Sequence, residues 1–538
     1  MIPRIKKYWL EHQEWGMPLV FCLMALIGVI YLAFFHEIYY NSDYLYHFNQ
    51  IRSIFYSVIR LHFPLLNQGT AVPYGTVTDF YPWLMILPLV LVYSVIRDPV
   101  VFFYVAIGLI TLATYFTSYY SIQAFDRKLS DDFVFALFYT NSSILFDWAF
   151  RAGNFGVLLA MAGLPLAFFG LLNFMRHRRS WWMMTIGMIW MFTSNVLVGL
   201  MATLTFFLLC LLDFKRFYHN WKWLSLSLIA ILVLTSFFWY PVLKLSLANR
   251  IVMPPYSYQI SSGLVPWIGA FCNYVYGLPE LIGLLSLREV YSAKFSRLDL
   301  GMWLISFFCI LVNVRWIADL LTQKMPWLRQ IQGAFRFSLI AHLLLTYLAV
   351  KWLTGHFNDQ RHHVLRTPIL ILVILIWFVP LNNEIGTQFL LHKRPLMTAR
   401  NLGDRNKPDP YKMNAASIKR NQHHYFNYDY APNAKVIKYL PFDNHYRACV
   451  YDAQNHRLAY QIKYRPTSTG IWLKNDHSSS LQVPFLIYHG IRYRFLINGR
   501  RLSKRHINQT LTRRTHELVI HNAPPGKLFI SLSSAALK

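Results

Sequence analysis

The chain has 538 residues, of which 55% are hydrophobic, 17% aromatic and only 14% charged, with a formal net charge of +28. Soluble domains carry roughly 25% charged residues, and the apolar residues here come in blocks long enough to cross a bilayer, so a wholly soluble fold is excluded. The positive charge is spread over loops and tail, with no recognition helix, zinc finger or RNA-binding signature, so it argues for anionic lipid headgroups and an anionic substrate and not for nucleic acid.

Residues 1–8 are short and basic, and residues 17–35 are apolar for about 19 positions. That run is too long for a signal-peptide core and has no small-residue cleavage site, so it reads as a retained first helix with a cytoplasmic N-terminus. A polar and aromatic loop, 36–82, follows. Apolar segments then fall at 83–97, 99–120, 132–149, 155–174, 181–195, 197–213 and 222–242, with a Pro-containing loop at 243–300. Further segments lie at 301–318, 335–354 and 367–384.

The expectation is about eleven spans within residues 1–390, with ten to twelve compatible with the pattern. Simple alternation would place the basic cluster Arg176-His177-Arg178-Arg179 outside, against the positive-inside rule. The five cysteines (Cys22, Cys210, Cys272, Cys309 and Cys449) have no CxxC spacing and read as small buried hydrophobes.

Residues 391–435 are polar and read as a linker. From 436 to 538 short alternating runs appear, and Asn498-Gly499 between two such runs is a hairpin signal. These predict a β-sandwich of about 100 residues. With eleven spans and the N-terminus inside, it would be extracytoplasmic. The fold class expected is therefore a multi-span α-helical membrane protein with a C-terminal extracytoplasmic β-sandwich domain.

The first loop carries the chemistry. Phe48, Ile51, Phe55 and Ile59 recur at spacings of three and four, which predicts an amphipathic helix in the outer interface. Asp43, His47 and Gln50 share another face. Asp43 reads either as a helix N-cap or as a functional acid, and His47 as a polar-face residue or a catalytic partner. Asp79, just before Tyr81-Pro82, is either a helix-start carboxylate favoured by the dipole or a functional acid at membrane depth. No HExxH or carboxylate–histidine set has metal spacing, so neither a cofactor nor a divalent metal is indicated.

An amphipathic loop helix opening Asp43-x-x-x-His47, followed by a turn-rich stretch and Asp79-Phe80-Tyr81-Pro82 before a span, resembles the first outer loop of GT-C glycosyltransferases. The resemblance is nearest to bacterial polytopic proteins of the YfhO type and the neighbouring "6-pyruvoyl-tetrahydropterin synthase related" membrane proteins, a label that implies no pterin activity. Asp147 to Pro165 resembles the family's Arg-containing turn leading into a span with a Pro-Leu pair. The run from Ile331 and Gln332 to Arg336 and Phe337 resembles its Q-F-P-W-R-F signature. The stretch from Val483 through Gly490 to Asn498-Gly499 resembles its terminal sandwich.

The resemblance implies a transferase using a polyprenyl-phosphate sugar as donor and a cell-envelope polymer or glycolipid as acceptor, in the plasma membrane. It assigns Asp43 as catalytic base or acceptor-orienting acid, with His47 and Asp79 as further catalytic candidates. Arg52, Arg151, Gln332 and Arg336 are the phosphate- or substrate-binding candidates, since a guanidinium meets phosphate bidentately. For Arg151 and Arg336, snorkelling at a helix end is the other reading. Family members carry a Glu five residues after the Arg of that turn, where this chain has Gly156; Asp147 either substitutes for it or pairs with Arg151. Gly333 and Ala334 also replace Phe-Pro of the signature. Two alternatives stay open: a transporter or flippase of lipid-linked sugar, which calls for charges deep in the spans, and a catalytically inactive accessory protein of the same fold.

Overall fold

The computed structural model describes residues 13–34, 36–39, 42–59, 61, 82–125, 129–176, 181–249, 278–287, 296–326, 328, 333, 336–357, 393, 412–421, 450–454, 456–465, 468–476, 479–483, 488, 491–501 and 518–537. The chain forms two compact units. The first comprises Met1–His36, Phe103–Thr235 and Tyr256–His392, and the second Glu37–Phe102, Ser236–Pro255 and Lys393–Lys538.

The elements follow the apolar blocks. α1 is Gln13–Ala33, β1 Ile38–Tyr39, α2 Ser42–Ile59, α3 Leu87–Val95, α4 Pro99–Phe125 and α5 Leu129–Thr140. A one-turn helix Ser143–Phe146 and a π turn Asp147–Arg151 then lead to α6 at Phe155–Arg176. Next come α7 Trp181–Phe192, α8 Val196–Leu212, α9 Trp221–Leu234, α10 Ser236–Ala248, α11 Leu278–Leu285, α12 Arg297–Leu311, α13 Arg315–Lys324 and α14 Phe337–Phe357. β2 is Lys412–Met413 and α15 Ala415–Asn421. Every apolar segment expected from the sequence and described here is helical; 367–384 lies outside the described residues.

Among the described residues, α4 and α6 are each long and apolar enough to cross a membrane, and counting each of three bent helix pairs as one crossing raises the number to five. Further apolar helices of 10–17 residues include α7 and α8. Three expected single spans are broken, one of them 301–318, which divides between Leu311 and Arg315. The segment 132–149 divides at Asn141, with its halves bent by 42°, and the segment 222–242 divides at Thr235. α8 and α9 turn large apolar side chains outward, among them Leu200, Phe207, Leu211, Leu228, Ile229 and Val233. In water such surface would be costly, and facing hydrocarbon it is not. α6 is buried almost all round.

Local signals set the helix starts. Asp98 Oδ1 accepts from the N–H groups of Val100 (3.0 Å) and Val101 (3.1 Å) and caps α4, with Pro99 pre-set for the first turn. Asn195 caps α8 in the same way, and Ser296 with Asp299 forms a capping box on α12. α6 and α7 approach through small residues: a Cβ on Gly170 would lie 2.3 Å from the Met184 nitrogen, and one on Gly187 2.3 Å from the Ala167 nitrogen. Such close backbone approach is how membrane helices gain packing without a hydrophobic driving force.

In the second unit β1 pairs antiparallel with β2, Ile38 opposite Met413 and Tyr39 opposite Lys412, and the Lys412 ammonium lies 3.0 Å from the Glu37 carboxylate. The segment 391–435 thus contains a strand and α15. The C-terminal residues form β3 Val450–Tyr451, β4 Arg457–Leu458, β5 Tyr460–Arg465, β6 Ser468–Asn475, β7 Ser479–Val483, β8 Ile491–Ile497, β9 Arg500–Arg501, β10 Leu518–Ala523 and β11 Gly526–Leu537. They make two antiparallel sheets, in the orders β10-β7-β3-β4 and β5-β6-β11-β8-β9. Asn498 (φ 48°) and Gly499 (φ 80°) turn β8 into β9, the backbone that an Asn-Gly hairpin requires.

Candidate functional site

In the second unit, α2 is the helix expected of the first loop, but it is not amphipathic in its surroundings. Tyr44, Leu45, Tyr46, His47, Phe48, Asn49, Gln50 and Ile51 are all buried, and only its last turn, at Val58 and Ile59, is exposed. The periodicity marks one apolar face, yet the other is covered by protein as well. His47 is 1% exposed, which overturns its reading as a polar-face residue, and its Nδ1 lies 3.3 Å from Gln50 Oε1.

Asp43 sits in the first turn of α2, half-buried, where the helix dipole favours a carboxylate. Beside it, the Tyr44 hydroxyl donates to the Pro99 carbonyl. Burial, reinforced by the Asp98 carboxylate and Tyr93, holds the Tyr44 phenol well above its ordinary value, so it stays a donor. Phe48 packs on Tyr93 and Phe102, with centroids 5.7 Å away in each case. The Arg97 guanidinium lies over Phe55 (4.4 Å) and Tyr93 (4.8 Å), and that of Arg52 is 6.0 Å from the Phe48 ring. The Arg97-Asp98-Pro99 run, a cap before a helix-starting proline, was the available signal for this corner.

In the first unit, Arg151 ends the π turn. The Ala152 N–H donates to the Asp147 carbonyl (2.8 Å), the bond that widens the turn. Arg151 Nη1 lies 3.3 Å from Asp147 Oδ1, both side chains being about half exposed. Gly153 (φ 57°) then reverses the chain, and Asn154 Oδ1 accepts from the Val157 N–H (3.0 Å) to start α6. Gly156 is buried in that first turn. Ala149 and Phe150 of the π turn help line a mostly apolar, partly open cavity of about 40 Å³, with Gly28, Ile110, Thr114 and Asn141. Asn141 Oδ1 accepts from the Tyr115 hydroxyl at 2.6 Å. π turns inside helices occur often at functional sites.

Arg336, by contrast, is buried at the entry to α14, where its backbone N–H donates to the Gly333 carbonyl (3.2 Å). It does not snorkel. Asp43, His47 and Arg52 share α2, and Asp147 meets Arg151; Asp79 and Gln332 lie outside the described residues.

The pair that sequence reasoning missed is Glu280 with His342. Glu280 Oε1 is 2.6 Å from His342 Nδ1, and the two side chains are 2% and 0% exposed. His342 Nε2 lies 3.0 Å from the Tyr139 carbonyl, which can only accept, so Nε2 carries a proton. The Tyr139 ring stacks on the imidazole at 4.9 Å, and its hydroxyl donates to the Met161 carbonyl (2.8 Å). Gly283 makes the pairing possible: a Cβ there would lie 2.4 Å from the Leu345 carbonyl oxygen, so α11 and α14 touch backbone to backbone one turn away. An ion pair joins the buried Asp299 to the partly exposed Lys351 at 2.7 Å. Among the described residues no three His, Cys, Asp or Glu side chains group to hold a metal ion.

Fold and site together define an α-helical membrane protein with a strand-rich C-terminal region. No protein-family model matches the chain, and no curated protein does. Among solved structures it is similar to ArnT from Cupriavidus metallidurans bound to undecaprenyl phosphate, at 17% identity and a TM-score of 0.40, over 63% of this chain. The chain spans 60% of that protein's length.

Proposed function

We propose that the chain is a membrane glycosyltransferase of the GT-C kind, moving a sugar from a polyprenyl-phosphate carrier to a cell-envelope polymer or glycolipid. The order of motifs in the first loop, the Arg-containing turn and the tail supports this reading. The observation that carries it is the π turn. It presents a half-exposed guanidinium, Arg151, immediately after two residues that wall an apolar cavity. An apolar wall beside a cation is what a lipid bearing a phosphate requires.

In this scheme Asp43 takes the proton of the acceptor hydroxyl as its oxygen attacks the anomeric carbon. The bond from that carbon to the carrier phosphate breaks, and the electron pair leaves with the phosphate. Arg336, Arg52, His47, Asp79 and Gln332 remain candidates for positioning. The scheme places the N-terminus in the cytoplasm and the C-terminal strands outside. Asp43→Asn tests it: envelope glycosylation should be lost while the protein inserts and melts as wild type does. Full transfer activity in that variant refutes the assignment.

One observation favours a second reading, proton-linked transport of a lipid-linked sugar: the buried Glu280–His342 pair among apolar helices. Movement of such a lipid by protein reconstituted in vesicles, without transfer to acceptor, would select it.

A further inference from the structure

The five-stranded sheet has two unlike faces. On one, Ile471, Leu473, Leu528, Ile530, Phe495 and Ile497 are buried. On the other, register places Gln461, Trp472 and Phe529 in one row across β5, β6 and β11. Trp472 is 43% exposed, and its ring lies 4.6 Å from that of Phe529 at a tilt of 33°. A Cβ on Gly470 would fall 2.2 Å from Phe529 Cζ, so the ring lies flat across the glycine. Asn498 fixes the row's end, its Oδ1 accepting from the Phe529 N–H at 2.7 Å. The result is an aromatic platform flush with the sheet.

The platform is rimmed by cations. Lys474 and Lys527 face each other across β6 and β11, and Arg494 and Arg501 stand on the same face of β8 and β9; all four are exposed. The acid beside them is Asp476, 2.8 Å from Lys474.

We propose that this face binds an anionic polysaccharide, which, on the transferase reading above, is the acceptor. The C–H face of a sugar ring is weakly positive and stacks on the negative face of an indole or phenyl ring. Lysine and arginine around the platform complement phosphate or carboxylate groups along the polymer. A bilayer is the poorer partner, because amphipathic anchors reach into it with projecting apolar groups, and Phe529 here lies flat.

The test uses the full-length protein in detergent and measures retention by immobilised phosphomannan, with neutral dextran, anionic phospholipid vesicles and a single-stranded oligonucleotide as comparison ligands. Phosphomannan should bind best, and more weakly as salt rises. Trp472→Ala should weaken binding roughly tenfold, the loss expected for one stacked ring. Lys527→Glu with Arg494→Glu, both exposed, should weaken it without touching the platform. Wild-type binding in both variants, or a Trp472-dependent preference for vesicles or oligonucleotide, overturns the proposal. Because the readout is binding, polymer retention by a protein that transfers no sugar refutes the transferase and leaves the binding face intact. Transfer without retention does the reverse.

Discussion

Replacing His342 by phenylalanine keeps an aromatic ring against Tyr139 and removes both of its polar contacts. Glu280, 2% exposed, then loses its 2.6 Å partner, and the Tyr139 carbonyl loses the imidazole 3.0 Å away. Breaking a buried pair by deleting one member costs about 3–5 kcal/mol, because the remaining group has neither water nor its partner. Glu280→Met in the same chain removes the orphaned acid at nearly constant volume. The double variant should therefore lie within about 1–2 kcal/mol of wild type, the residue being the unsatisfied carbonyl. The assay is equilibrium unfolding in mixed detergent, run as a double-mutant cycle. If the two losses simply add, or if His342→Phe costs less than about 1 kcal/mol, the pair does not hold α11 to α14 and the reasoning fails.

Gly187→Val puts two methyl groups where the Ala167 nitrogen already stands 2.3 Å from a Cβ, so α6 and α7 must separate; a loss of about 1–3 kcal/mol in the same unfolding assay is expected. Gly499→Ala meets φ 80° at the β8–β9 turn and should cost about 1–2 kcal/mol, read as faster protease cleavage of the C-terminal strands. Lys412→Ala removes the partner 3.0 Å from Glu37 and should raise hydrogen exchange at Ile38 and Tyr39 with little effect elsewhere.

The helices of the apolar region were legible because each is an apolar block bounded by polar residues or proline, and the β8–β9 hairpin because Asn-Gly is among the few pairs at ease with positive φ at both positions. The helical character of α2 was legible from spacing alone, although the helix starts at Ser42, so that Asp43 lies in its first turn and not ahead of it. Its all-round burial was not legible. Tyr44, Tyr46, His47 and Asn49 look like a wet face in sequence, and nothing local says that other segments cover them. Glu280 and His342 escaped notice for a related reason. Each is a single polar residue in an apolar run, and the partner that gives it meaning is 62 residues away. The breaks at Asn141 and Thr235 were invisible to hydropathy, which registers apolar content and is blind to a bend.

The short ladder between β1 and β2 has a bearing on topology. Its strands flank the apolar helices, one following α1 and the other following α14, and they are hydrogen-bonded to each other. Two residues of backbone pairing cannot be made through about 30 Å of hydrocarbon. Whatever path the chain takes between Tyr39 and Lys412, it must come back to the face it left, and the crossings between them must be even in number. If α1 crosses once ahead of them, any total of ten or twelve would pull the ladder to opposite sides of the membrane. A pair of two-residue strands thus acts as a parity check on the entire membrane-embedded path.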